Sequence, residues 1–475
     1  MKPRQPLPMF TNLVTATTAA GAGRQQVPLP SRSGGEDEQK GLVMTSVLST
    51  PGPTDSAPPA GGSSIDLGPA VALSCRECGN RVELGPFYAC TECFGPLEVA
   101  YEFALRGDAL RQQIQAGPSN IWRYAPLLPV PGNVAETRNM NPGNTKLVRA
   151  DNLARVLGIK SLWVKDDSGN PTHSFKDRVV AVALAAAREL GFTVLACPST
   201  GNLANAVAAA AARAGIRSVV MIPSNLEQQK ILTTAAYGGT LVAVEGTYDD
   251  INRLAGEIAA EQEDWAFVNV NVRPYYAEGS KTLGFEVAEQ LGWRLPQQVV
   301  IPIASGAQLV KVDKGFTELT QLGLVEDTPY KVFGAQATGC SPVSEAFKNG
   351  WDVVKPVRPD TIAKSLAIGN PADGPYVLDV TRRTGGAIED VSDDEVIEGI
   401  KLLARTEGIF GETAGGVTIA TLRKLLATGQ LDPDAETVVF NTGDGLKTLD
   451  AIAGEVGPTA TIKPTLGAFE AAGLV

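Results

Sequence analysis

The chain has a single histidine, His173, in 475 residues. That scarcity excludes a metal centre built on two imidazoles. It also argues against a Ser-His-Asp triad, which would have to use this one ring. Basic residues are outnumbered: 41 Lys and Arg against 52 Asp and Glu, a net charge of −11. Nucleic acid needs a basic face, so it is not an expected partner. No apolar run approaches the ~20 residues of a membrane-crossing helix, so no membrane association is expected. Neither G-x-x-x-x-G-K-[ST] nor G-x-G-x-x-G occurs, which removes an NTPase P-loop and a dinucleotide fingerprint. Of only six cysteines, Cys75, Cys78, Cys90 and Cys93 cluster. That is not the pattern of a secreted disulfide framework, and a reducing, cytoplasmic setting fits it.

The length implies more than one core, and 44% apolar with 20% charged residues is a globular balance. Residues 1–70 are the exception, with 10 of the 32 prolines and stretches such as "STPGPTDSAPPAGGSS". They have nothing with which to bury a core and read as a disordered low-complexity tail. The first 26 residues are free of acids, which mimics an organellar transit peptide. Early prolines and the lack of an amphipathic face favour an extended or mis-started terminus, with Met44 an alternative start. Residues 71–105 form a short cysteine module, 106–140 a helix and linker, 141–460 an α/β region and 461–475 a C-terminal tail.

In the α/β region, apolar strands alternate with helices. "SLWVKDD" (161–167), "TVLACPS" (193–199), "SVVMIPS" (218–224) and "TLVAVEG" (240–246) are strands, as are "QVVIPIA" (298–304), "YKVFGAQA" (330–337) and "TVVFNT" (437–442). Helices at 175–190, 202–214 and 226–237 lie between them, and glycines follow their ends. Continuous apolar strands separated by helices imply a parallel sheet covered on both faces. Ligands then sit beyond the carboxyl ends of the strands. Three turns there offer backbone N–H groups to an anion: "PSTGNLAN" (198–205), "IASGAQL" (303–309) and "NTGDGLKT" (441–448). A fourth, "SGNPTHSFKDR" (168–178), holds Lys176. A lysine partly buried behind Phe175 would have a lowered pKa and could form a Schiff base with a cofactor carbonyl.

Six motifs in order, "HSFKDR" (173–178), "STGN" (199–202), "EGSKTLGFE" (278–286), "IGNP" (368–371), "EGIFGETAGG" (407–416) and "TGDGLK" (442–447), resemble threonine synthases. These are pyridoxal-phosphate enzymes of the two-domain, parallel-sheet, tryptophan-synthase-β-like fold. The resemblance runs from about residue 140 to 455. It implies a smaller subdomain at about 190–285 inserted in a larger one. Lys176 matches the lysine that anchors the cofactor and shuttles protons, and Asn202 the partner of the cofactor's ring hydroxyl. Ala304, Ser305, Gly306, Ala307 and Gln308 match the cofactor-phosphate loop, though "ASGAQ" is leaner in Gly and Asn than in many relatives. Thr442 matches the contact to the pyridine nitrogen. Taken singly, Asn202 is also a helix cap, Thr442 a turn hydroxyl and Gly306 a tight turn. His173 reads either as an acid–base group or as a loop residue that positions the backbone, with the second favoured.

"CREC" and "CTEC", eleven residues apart, put Cys75, Cys78, Cys90 and Cys93 within reach of one tetrahedral ion, a zinc ribbon with a closed shell and hence a structural Zn2+. The longer threonine synthases carry a similar segment. The resemblance also implies O-phospho-L-homoserine as substrate, L-threonine and phosphate as products, and a homodimer. Ser224, Asn225, Lys230, Arg273 and Lys281 are candidates for the substrate phosphate. For the cations the competing reading is a solvated helix-surface charge. Two alternatives stand beside this function. One is another pyridoxal-phosphate lyase of the same fold, a threonine or serine dehydratase or a phosphoserine-using synthase. Dehydratases more often lack the ribbon and have a C-terminal regulatory domain, for which no room is expected after Thr442. The other is a non-catalytic zinc-ribbon scaffold.

Overall fold

The computed structural model describes residues 65–473. Residues 1–64 of the expected tail lie outside the described residues. Its last part is ordered: Leu67 and Ala70 are buried. Thirteen strands follow along the described chain: β1 (Ala70–Cys75), β2 (Arg81–Val82), β3 (Leu97–Tyr101), β4 (Lys146–Arg149), β5 (Leu162–Asp166), β6 (Val194–Pro198), β7 (Arg217–Pro223), β8 (Thr240–Val244), β9 (Trp265–Phe267), β10 (Gln298–Pro302), β11 (Lys331–Ala337), β12 (Ile388–Val391) and β13 (Thr437–Asn441).

They make three sheets. The cysteine module is a small antiparallel sheet, β2-β1-β3. The large sheet runs β12-β11-β10-β13-β5-β4 and is parallel except for its edge strand β4. The third, β8-β7-β6-β9, is wholly parallel. The chain leaves the large sheet after β5, builds the four-stranded sheet, and returns at β10. Strands β6, β10 and β13 are buried at every position, as continuous apolar runs require when helices cover both faces. In β10, Val299 and Ile301 join one core while Val300 joins the core on the opposite face, the two-residue period of a strand.

The segment expected to be a linker is a packed one. Helix Gly107–Ala116 is followed by a 3-10 turn, Ile121–Leu127, whose Ile121, Trp122, Tyr124 and Leu127 are buried in the same core as β10. The aromatic and aliphatic content of "IWRYAPLL" is enough to bury it despite its prolines. The C-terminal tail contains an exposed helix, Leu466–Ala471.

In the large sheet the order reverses between β10 and β13. Strands β10, β11 and β12 step one way, while β13 and β5 lie on the other side. A crevice opens at such a reversal, beyond the carboxyl ends of the strands. Three loops therefore converge there from three adjacent strands: 303–306 after β10, 442–445 after β13, and 167–175 after β5.

Candidate active site

Lys176 is the first residue of helix Lys176–Glu189, and the residue before it, Phe175, is already helical in backbone angles. The start of this helix is tied to the end of β13: the Phe175 N–H donates to the Thr442 carbonyl at 3.0 Å. Its floor is a polar network. Asp177 accepts from the Thr172 N–H and hydroxyl, both at 2.7 Å. Arg178, fully buried, pairs with Asp167 at 2.6 Å and with Glu286 at 2.7 Å. The "KDR" that follows Phe175 thus fixes the loop from below.

The Lys176 amine donates to the Tyr276 hydroxyl at 3.2 Å and lies 4.5 Å from the centre of the Phe175 ring. Burial lowers its pKa to about 8, with Glu412 opposing that shift. A useful fraction is therefore neutral near physiological pH, as a nucleophilic amine must be.

Asn202 begins helix Asn202–Ala214 after β6. Its Nδ2 donates to both Glu412 oxygens, at 2.9 and 2.8 Å, and Thr442 Oγ1 donates to Glu412 Oε1 at 3.3 Å. The turn before Asn202 needs glycine: Gly201 has φ 121° and a Cβ there would lie 2.2 Å from Lys230 Cδ. Opposite, helix Ala307–Gln321 starts at Gly306, whose φ is 96° and whose added Cβ would lie 2.7 Å from Val377 Cγ2. The first N–H groups of this helix point out of its end without intrahelical partners.

Lys176, Asn202, Ala304–Gln308 and Thr442 line one cleft. Glu412, Tyr276 and Ser280 line it too. Sequence reasoning gave these three no role, although "EGIFGETAGG" and "EGSKTLGFE" contain two of them. The donor set suits a cofactor with a hydroxylated, anionic ring. Among the described residues, Asn202 Oδ1 and Gln308 Nε2 are buried without hydrogen-bond partners, one on each side of the cleft.

The substrate-phosphate candidates separate. Arg273 lies in the outer part of the cleft with Lys176 and pairs with Asp373 at 2.6 Å, which raises its pKa. Ser224 and Asn225 are exposed, and Asn225 lines an adjoining groove with Arg358 and Lys364. Lys230 is not a solvated charge: it is fully buried beneath Gly201 and donates to Glu227 at 3.1 Å. Lys281 is neither at the cleft nor solvated. It is fully buried between Glu278 and Glu318, each at 2.8 Å, and donates to the Leu127 carbonyl. His173 has an exposed side chain, with Nδ1 3.9 Å from Asp444. Its backbone does the joining: φ is 62°, and its carbonyl accepts from the Asp444 N–H at 3.0 Å.

Away from the cleft, the four cysteine Sγ atoms lie within 4.8 Å of one another, with contacts of 3.4, 3.5 and 3.7 Å. Four thiolates ~2.3 Å from a zinc ion stand about 3.8 Å apart, so the cluster fits a tetrahedral ion. Backbone N–H groups of Cys93 and Glu92 pull the Cys90 thiol down to about 6, while the neighbouring Cys78 and Cys75 thiols push Cys93 up to about 12.

A family model described as "Pyridoxal-phosphate dependent enzyme" matches residues 139–443. That span contains every residue of the cleft named above, and the chain is a member of this class of enzymes. A threonine synthase of Methanocaldococcus jannaschii is 37% identical over 380 residues, 79% of this chain and 93% of that protein. One from Methanosarcina acetivorans is 36% identical over 381 residues, 79% and 92% of the two chains. Diaminopropionate ammonia lyase from Escherichia coli shares the fold, with a TM-score of 0.57, 19% identity and coverage of 74% of this chain and 92% of that one. Within the pyridoxal-phosphate enzymes, the chain belongs to the threonine synthase family.

Proposed function

We propose that the cleft converts O-phospho-L-homoserine and water to L-threonine and phosphate. The observation that carries this reading is the Lys176 amine, half-buried and held near neutrality at a strand reversal, facing Asn202, Thr442 and the Ser305–Gln308 turn. When bound, pyridoxal phosphate supplies an electron sink that lets carbanion character develop on neighbouring substrate carbons. Lys176 would anchor it covalently. Asn202 would bond its ring hydroxyl, Thr442 its ring nitrogen, and the N–H groups from Ser305 to Gln308 its phosphate.

Lys176 has a second task. An amine with a pKa of about 8 can accept and return protons at adjacent carbons, which a γ-elimination followed by addition of water at Cβ requires. Tyr276, at 3.2 Å, orients that amine. Glu412 fixes Asn202 and Thr442 together, so that the two cofactor contacts move as one. Among the phosphate candidates, Arg273 is the cation that lines the same cleft as Lys176, and the proposal gives it the substrate phosphate.

The cysteine cluster is proposed to hold a structural Zn2+, since four thiolates leave no open position for chemistry. Family membership alone supports a homodimer and a cytoplasmic location. Among the described residues no helix is long and apolar enough to cross a membrane. Incubation of the purified protein with O-phospho-L-homoserine tests the activity. The proposal expects equal amounts of phosphate and threonine. Keto acid from threonine or serine, without phosphate-linked threonine, would assign a dehydratase instead.

A further inference from the structure

The cysteine module does not stand apart from the cleft. Arg76 and Glu77 are the two residues between Cys75 and Cys78, so whatever clamps the thiols also fixes their backbone. Arg76 stacks over the Tyr376 ring at 3.5 Å, and Glu77 accepts from the Tyr376 hydroxyl. The Arg76 guanidinium also lies 3.9 Å from Asp373. Asp373 is the residue that caps helix Gly374–Arg383, and it meets the cleft in three ways. Its carboxylate takes Arg273 at 2.6 Å, and its N–H donates to the Ser305 carbonyl at 2.8 Å. Its Cβ lies 3.0 Å from where a Cβ on Gly306 would sit. One ion pair therefore joins the first cysteine knuckle to the turn assigned to the cofactor phosphate and to the cleft's outer cation.

Further contacts repeat the connection. The Gly85 N–H donates to the Tyr275 hydroxyl at 3.0 Å, and that hydroxyl donates to the Gly85 carbonyl at 2.9 Å. The next residue, Tyr276, accepts from Lys176. Tyr88, from the loop between the knuckles, lines the outer cleft itself. The stretch between the knuckles has little regular structure of its own, only the two residues of β2. A segment of that kind takes its order from its cross-link.

We propose that metal binding at the cysteine cluster and cofactor binding in the cleft are coupled through Arg76, Tyr376 and Asp373. The inference rests on the reading of the cluster as a zinc site. Coupling of two sites is reciprocal: if metal orders the turn that receives the cofactor, bound cofactor must tighten the metal. Metal retention therefore reports the coupling without reference to turnover.

The test measures the equilibrium zinc Kd of the full-length protein by competition with a chromogenic chelator, with pyridoxal phosphate bound and after its removal. The Kd should be at least about fivefold lower with the cofactor, the lower end of typical coupling between sites. Arg76→Ala should bring that ratio close to one while the visible cofactor band and the circular dichroism spectrum stay intact. Tyr376→Phe removes only the hydroxyl that reaches Glu77 and should at least halve the ratio; it carries the comparison if Arg76→Ala does not fold. Equal zinc Kd values in the wild-type protein, or an unchanged ratio in the variants, overturn the coupling. Purified protein without one zinc per chain overturns the metal reading and the coupling together, a result distinct from zinc-loaded protein with equal Kd values.

Discussion

Glu412 grips Asn202 with both carboxylate oxygens, at 2.9 and 2.8 Å, across 210 residues of sequence. The pair joins the first turn of a helix on the four-stranded sheet to the large sheet, and Thr442 completes it. Glu412→Ala would leave the buried Asn202 amide without partners, at a cost of about 1–3 kcal/mol. Urea denaturation of the cofactor-free protein measures that loss, and titration with pyridoxal phosphate should show a parallel rise in Kd.

The Lys176 amine sets a pH dependence. Its folded-state pKa is about 8, against an ordinary value of 10.5. Between those values the unfolded chain holds the proton and the folded chain does not, so this group makes stability rise with pH across that window. Below it, the cost of burying the charge is fully present. Reloading of cofactor-free protein should accelerate as pH rises, with a midpoint near 8. Glu412 opposes the shift, so Glu412→Gln should move the midpoint lower. Stopped-flow absorbance across pH 6–10 checks both directions.

Gly306 is the narrowest point of the turn opposite Lys176. Gly306→Ala combines a φ of 96° with contacts of 2.7 and 3.0 Å to Val377 and Asp373. Backbone strain of this kind costs about 1–3 kcal/mol. Pyridoxal-phosphate affinity should fall by at least tenfold, with a smaller drop in Tm; an unaltered Kd would remove this turn from the cofactor site.

Arg273 and Lys281 come from one short stretch and should separate in KM. Arg273→Met should raise KM for O-phospho-L-homoserine and also lower Tm, though less than the Lys281 change, because Asp373 keeps Arg76 at 3.9 Å. Glu278 keeps Lys311 at 2.7 Å and Lys314 at 3.0 Å, but Lys281→Met leaves the buried Glu318 with only Lys314 at 4.0 Å, which costs about 3–5 kcal/mol. It should lower Tm sharply and leave KM unaltered in whatever protein remains folded.

These contrasts mark where the sequence was legible. Strands such as β6, β10 and β13 are continuous apolar runs bounded by small-residue turns, so their position and the turns after them could be read directly. Strands β4, β9 and β12 are three or four residues long, and β4 and β12 are partly charged, so no period showed in them. Lys176 stood out because a lysine after Phe175 is unusual at a helix start. Lys281 was only a further candidate for the substrate phosphate. Its partner Glu318 lies 37 residues away on another helix, a pairing that no local pattern encodes. Glu412 was overlooked for the same reason: its importance lies in Asn202 and Thr442, which only folding brings beside it.

Borohydride reduction of the cofactor-loaded protein, followed by peptide mapping, tests the central claim most directly. The reagent makes the lysine–cofactor bond permanent. The account predicts one pyridoxyl group per chain, on Lys176, and none in Lys176→Ala protein that retains its circular dichroism spectrum. A pyridoxyl group on another residue, such as the buried Lys447 whose pKa is also lowered to about 8, would contradict it.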